Sequence, residues 1–463
     1  MSVLSALFDN KTYNFEQAFH AKDVTSPAMR TAIRAWFDLY FDGEAPDDMD
    51  RCQRLPVVIV NKLYKTAFSE YVATIGSTGA KADFMSDLLT KLDRVRKTAM
   101  QMALVGGECF VKPVLSGKSL DFTVVRRDCF IPLARGTGGR ITSVGTAEFT
   151  SEGGKYYTLL ERRTVNRGGF LTIESKLYQS SDRSMLGSQV PLGTLGKYAA
   201  LEPVLTLPQP VGNLGMAPLV TPMLNVVDGS EDAVAVYAAA VGLIRNVDRN
   251  ERQLDDEFKN GKSRIIASAD MMERDGEGRK RIKDDVFTAV DDDPETVGIT
   301  IFSPALREQS YLARKQEYLR NVESLIGLKR GILTEVEAAE RTATEITSSA
   351  GDYNLTIVDF QQSWETMLRE LLATCDALGQ MYKLCDGADF DPEKDLVIDW
   401  GDGVLYDRDK AWQEYVAMVG SGMLKPELAL AWYFNLPHET PADFEKIRTD
   451  YMPELEAMVG GEV

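Results

Sequence analysis

Between residues 342 and 381 the apolar positions recur at alternating spacings of four and three: Ile346, Ala350, Tyr353, Ile357, Phe360, Trp364, Met367 and Leu371. That alternation is the seam of a long amphipathic helix. Thr342 and Glu345 precede it as S/T-x-x-E, the capping box in which a hydroxyl and a carboxylate satisfy each other's orphan backbone donors. At ~1.5 Å per residue the helix would span roughly 60 Å. A core helix of any all-α protein fits the same pattern, so the rest of the chain has to give it meaning.

Upstream, residues 28–105 carry apolar positions three and four apart, as at Met29, Ile33 and Trp36, and predict helices. The pattern changes at Gly106 and Gly107. Short β-rich runs at 109–115, 122–125, 156–161 and 170–177, punctuated by turns such as the glycines of 136–139, predict a mostly antiparallel β region over 108–207. Next comes a stripe of Val236, Ala240, Leu243, Val247, Leu254 and Phe258, read as a helix about 40 Å long that stops at Asn260 and Gly261. A compact insert follows, with strand-like 264–269, 286–290 and 297–302 separated by polar stretches. Ser303 and Pro304 read as the cap and first turn of a return helix through Tyr311, Tyr318, Val322 and Leu325.

Residues 327–341 form a mixed-charge connector with Lys329, Arg330, Glu335, Glu337 and Glu340. Glycines at 327 and 331 and the charge predict an exposed, mobile loop, because a buried one would strand backbone polar groups. After the long helix comes a late strand at 395–400, and then three short helices, one after Asp407, one opened by Pro426 and one by Thr440 and Pro441. The sum is an α+β protein in which two long helices bracket a small α/β module.

Composition narrows the function. The chain has 463 residues and a formal net charge of -18, which argues against gripping nucleic acid through its phosphates. Its five cysteines have no C-x-x-C spacing and suit a reducing compartment. No signal peptide is read at the start, and the longest apolar run, 233–244, is too short for a membrane span, so a soluble, intracellular protein with no membrane partner is expected.

Candidate chemistry is sparse. His20 and His438 are the only histidines, which leaves little for triads, general bases or metal sites. Gly261, Lys262 and Ser263 resemble the end of a phosphate-binding loop, but Asp256 stands where that motif needs glycine and a helix precedes it where a strand is needed. The acidic groups Asp291, Asp292, Asp293 and Glu295, and Asp399, Asp402 and Asp407, lack calcium-loop spacing and read as solvated turns. Arg135 with the glycines of 136–139 fits an anion cradle or a plain hairpin turn. Trp364, Trp400, Trp412 and Trp432 lack the basic groove of a single-strand stacking platform. No catalytic residue, cofactor site or metal site is predicted.

The order of elements resembles the portal proteins of tailed bacteriophages, which form the ring at the unique capsid vertex. The residues carrying the resemblance are 35–40 (AWFDLY), 103–108 (ALVGGE), Gly327 and Leu328 leading through a loop to 342–345 (TATE), and 399–402 (DWGD). The resemblance implies a wing over 1–227, stem helices at 228–262 and 303–326, and a clip at 263–302 around Ile265, Phe287 and Ile301. It further implies a tunnel loop at 327–341 re-entering helix at Thr342, a long helix with a wing-return strand over 342–405, and a crown at 406–463. It implies a dodecamer, in the virion after assembly in the host cytoplasm, that serves DNA packaging, retention and ejection. Its partners would be other copies of itself, the terminase large subunit, a head-completion or adaptor protein, and the major capsid and scaffolding proteins. Double-stranded DNA would pass through without sequence-specific binding, which a negatively charged pore favours. The Ala-rich stretch 233–240 would then pack between subunits. The competing reading, a nucleotide- or metal-dependent enzyme of the packaging apparatus, lacks a strand-loop-helix phosphate site.

Overall fold

The computed structural model describes residues 15–41, 52–117, 119–261, 264–267, 272–274, 276, 280–282, 299–302, 305–334, 343–385, 390–401, 408–434, 436–437 and 440–452. Pro27–Phe41 (α1) begins at a proline, whose missing N–H is no loss in a first turn, and buries Met29, Ile33, Trp36 and Phe37. Leu55–Ala67 (α2) buries Ile59, Val60 and Leu63 in the same 3-4 rhythm. A short strand, Val72–Ile75 (β1), precedes Ala80–Gly106 (α3). That helix ends at Gly107, whose φ of 83° and close neighbours require glycine: an added Cβ would lie 2.5 Å from the backbone of Ala233 and Val234.

The β region follows as Glu108–Ser116 (β2), Ser119–Arg126 (β3), Phe130–Arg135 (β4), Ile141–Glu152 (β5), Lys155–Val165 (β6), Leu171–Ser180 (β7), Ser188–Val190 (β8), Val204–Thr206 (β9) and Ala217–Val220 (β10). Every pairing is antiparallel, as the turn spacing predicts. One sheet runs β10-β2-β3, the other β4-β5-β6-β7-β8 with β9 also on β7. A buried ion triad ties the two sheets: Glu161 of β6 accepts from Lys112 of β2 at 3.1 Å and from Arg163 at 2.7 Å. Burial opposes the charge on Glu161, but the two cations outweigh it and its carboxyl titrates at about 2.

The first long helix is shorter than the sequence suggests. Residues 228–237 are not helical, Ala238–Ala240 is a single 3-10 turn, and the α-helix proper is Val241–Asn260 (α4), about 30 Å long. The apolar stretch before it is a non-helical strap inside the chain that ends in a turn: Val234, Ala235, Val236 and Tyr237 are all buried, Val236 N–H donates to the Leu104 carbonyl at 2.9 Å, and Ala238 N–H donates to the Ala235 carbonyl at 2.9 Å. A fully buried strap and a buried helix share one apolar signature, which is why periodicity misassigned it. Of the alanines in 233–240 expected between subunits, Ala233, Ala235 and Ala240 pack within the subunit, Ala238 is half-buried and Ala239 is exposed. Farther out the stripe reverses, with Ile244 and Val247 buried but Phe258 46% exposed.

Beyond α4 the tip holds Arg264–Ala267 (β11), Met272–Arg274 (β12), Lys280–Ile282 (β13) and Ile299–Phe302 (β14). The pairs β11-β14 and β12-β13 are separate two-stranded ribbons. The second is a correction, because the sequence reading made 274–283 a polar spacer. The expected strand at 286–290 lies outside the described residues. The return helix is Glu308–Ile326 (α5), four residues later than the Ser303-Pro304 signal, and its buried stripe is Leu319, Val322 and Ile326, with Leu325 turned outward.

Ala343–Met381 (α6) is 39 residues long and carries the expected seam: Tyr353, Ile357, Phe360, Trp364, Met367 and Leu371 are buried. After Pro392–Asp395 (α7), Leu396–Asp399 (β15) pairs antiparallel with β1, Val72 opposite Asp399. Trp400, just beyond, packs on Phe68 and Tyr71, ring centroids 5.6 and 4.8 Å away. One continuous core joins α1, α2, α3, β2, β10, the strap, the inner ends of α4 and α5, and α6.

Arg408–Gly420 (α8), Pro426–Phe434 (α9) and Pro441–Tyr451 (α10) close the chain where the cap signals placed them. Thr440 and Asp443 form a reciprocal capping box at α10. Aromatic pairs hold the trio: Tyr415 on Trp432 at 4.6 Å and Trp412 on Tyr433 at 4.4 Å join α8 to α9, and Phe434 on Tyr451 at 5.3 Å joins α9 to α10.

Candidate functional site

The helices α4 and α5 form an antiparallel arm. Asn250 Nδ2 donates to the Tyr311 carbonyl at 3.0 Å, Lys315 pairs with Glu251, and Arg307 grips Glu257 through two bonds of 3.0 and 2.7 Å. A bidentate guanidinium-carboxylate pair fixes geometry as well as charge. At the outer end a Cβ on Gly261 would sit 2.8 Å from the Glu257 carbonyl oxygen and against the Leu306 side chain, so α4 ends in close contact with the segment leading into α5. Lys262 and Ser263, which follow it, lie outside the described residues. Farther along the chain Arg264 pairs with Phe302 and Ile265 with Ile301 in the β11-β14 ribbon. Sequence reasoning singled out Ile265 and Ile301 separately, and the fold places them opposite each other. Phe287 lies outside the described residues.

The arm is rooted by a buried ion cluster. Asp232, on the strap, pairs with Arg135 and with Arg127 Nη2 at 3.5 Å. Arg127 also donates to Thr25 Oγ1 at 3.1 Å, and Arg135 to the Gly139 carbonyl at 2.5 Å. The Arg135 hairpin is thus a turn locked to the strap and not an anion cradle. Glu108 is buried beside the cluster, and burial holds its carboxyl above the usual range despite the nearby Arg127 and Arg135.

The connector after α5 is only half as free as its composition suggests. Gly327 is left-handed at φ 75° and Gly331 has φ 94°, so both expected turns exist. Leu328 is nevertheless buried, and Ile332 and Leu333 pack on the central core, which corrects the expectation of a loop mobile from Gly327 onward. Lys329 is half-buried and Arg330 exposed. Glu335, Glu337, Glu340 and Thr342 lie outside the described residues. The signal that reasoning missed is Glu323, which resembles one more solvated charge on a helix.

Among the described residues no group of three or more His, Cys, Asp or Glu is placed to hold a metal ion. His20 is exposed. An open groove of about 730 Å³ along α6 has its charges paired, Arg369 with Glu365 at 2.6 Å and Arg140 with Glu370 at 2.5 Å. Among the described residues no helix is long and apolar enough to cross a membrane.

An α+β body that extends a paired-helix arm ending in β ribbons, with a 39-residue helix running back through its core, has the layout of a viral portal subunit. The family profile described as phage portal protein, SPP1 Gp6-like, matches residues 55–451, and the chain belongs to that family. No individual curated protein matches the sequence. The family is structural rather than enzymatic: its members form the channel at the capsid vertex in viral DNA packaging, as ring oligomers that meet capsid, terminase and DNA. The protein is accordingly a component of the virion's capsid vertex.

Proposed function

We propose that twelve copies close the ring, with α4 and α5 as the stem, 263–302 as the clip and 327–341 as the loop that narrows the channel. In this reading 1–227 forms the wing, which meets the major capsid and scaffolding proteins during assembly in the host cytoplasm. Residues 342–405 return through it and 406–463 form the crown. The clip docks the terminase large subunit during packaging and a head-completion or adaptor protein afterwards, so one end serves filling, retention and ejection. The observation that carries the reading is the arm itself: a braced antiparallel helix pair brackets, in chain order, two two-stranded ribbons. Two-stranded ribbons are marginal alone and gain stability by pairing with further strands, here from the neighbouring subunit.

The charge of -18 per chain supports a channel that lets a duplex slide in both directions. Repulsion screened over ~8 Å keeps DNA centred without holding it.

Phe287→Asp tests the clip reading. Charge placed in a module that needs a neighbour to complete its core should weaken ring assembly or motor docking while the wing stays folded. A variant that assembles fully and packages DNA at the wild-type level would contradict the proposal.

A further inference from the structure

One side chain holds the whole turn that follows the arm. Glu323 sits in the last turn of α5 and is fully buried, at 0% exposure. Its carbonyl accepts from Leu328 N–H at 2.8 Å, the bond spanning more residues in a Schellman-type end that left-handed Gly327 makes possible. Its carboxylate reaches forward. Oε1 accepts from the backbone N–H groups of Gly331 at 3.1 Å, Leu333 at 2.6 Å and Thr334 at 3.1 Å. Oε2 accepts from Thr334 Oγ1 at 3.0 Å.

Four converging donors are what a buried carboxylate requires, since an unmet one is costly to bury. Leu333 and Thr334 offer two successive backbone N–H groups to the anion, as in a nest, Gly331 adds a third while Ile332 N–H turns to the Lys329 carbonyl, and the anion comes from the chain itself. Gly327 is also pressed against α6, where an added Cβ would lie 2.7 Å from Thr356 Oγ1. Residues 327–334 are therefore wedged between the two helices by backbone, carboxylate and apolar contacts together.

We propose that Glu323 is the positioning residue of the connector: its carboxylate mounts 327–334 rigidly on α5 and α6. Any part that reaches the channel then begins beyond Thr334, and a push on it passes into the arm and is not absorbed by a hinge at Gly327. The second half of this statement rests on the channel-loop reading; the first does not.

Hydrogen exchange on the full-length protein separates them. Glu323→Ala should raise exchange at the Leu333 and Thr334 amides by at least about tenfold, because each loses its charge-assisted bond, and less at Gly331, whose N–H also donates to Thr334 Oγ1 at 3.2 Å, while amides around Trp364 stay protected. Glu323→Gln, which keeps one acceptor oxygen, should fall between. Thr334→Val, which removes only the hydroxyl, should raise exchange less and serves if the alanine variant does not assemble. Unchanged exchange at the three amides in the glutamate variants, or in Thr334→Val if it must stand in for them, would overturn the mount. Faster exchange with altered DNA filling in a packaging assay supports both halves, whereas faster exchange with wild-type filling keeps the mount and overturns the transmission of force.

Discussion

Replacing Asp232 with alanine is expected to destabilise the protein by about 3–5 kcal/mol, because it leaves two arginines facing each other without their shared carboxylate. Arg127 is 2% exposed and cannot turn to water, and Arg135 is committed to the Gly139 carbonyl. The strap carrying Asp232 also leads directly into α4. The loss should therefore appear twice, as a lower urea midpoint and as poorer ring assembly at concentrations where the wild type assembles. Asp232→Asn, which keeps an acceptor oxygen and the volume, should lose less. A midpoint unchanged in Asp232→Ala would show that the cluster does not root the arm.

Trp364→Ala is expected to cost about 3–5 kcal/mol as well, here through a cavity. Trp364 is fully buried at the middle of α6, edge-on to Phe68 at 5.2 Å, with its indole N–H donated to Tyr71 Oη at 3.1 Å. Burial pushes the Tyr71 hydroxyl up to about 12, so it stays neutral and available as acceptor through the physiological range. Trp364→Phe keeps most of the volume and removes the donor, and should cost about 1 kcal/mol. Equal losses for the two variants, measured by urea unfolding, would mean that packing at this position is not what matters. Because Phe68 and Tyr71 meet both this indole and that of Trp400, at the end of β15, the alanine variant should also loosen the β1-β15 ribbon.

The elements that could be read from the sequence were those whose signal is local. The α6 seam is such a case: Tyr353 to Leu371 alternate at 4 and 3, and each buried position follows from that spacing. The α10 start is another, where Thr440, Pro441 and Asp443 stand together and form the box they spell out. What escaped depends on partners far away in the chain. β1 is four residues long, and its pairing with β15 joins Val72 to Asp399. The strap at 233–237 carries the apolar signature of a helix, and its contacts with the Leu104 carbonyl and with Gly107, far back in the chain, hold it in a non-helical path.

The candidate site divides the same way. The helix-module-helix order was legible, and so were Ile265 and Ile301 as strand residues, but their direct pairing was not. Composition marked the connector as a loop from its glycines and charges. It could not mark Glu323, because a glutamate that collects backbone N–H groups within eleven residues looks like any solvated glutamate.

The central claim is that this subunit works only as part of a closed ring, and electron microscopy of the purified full-length protein, with native mass measurement on the same sample, tests it most directly. The account predicts closed rings with a central channel, twelve subunits in the assembled vertex, and loss of those rings in Asp232→Ala. A protein that stays monomeric at high concentration, with the wing and arm folded, would contradict it.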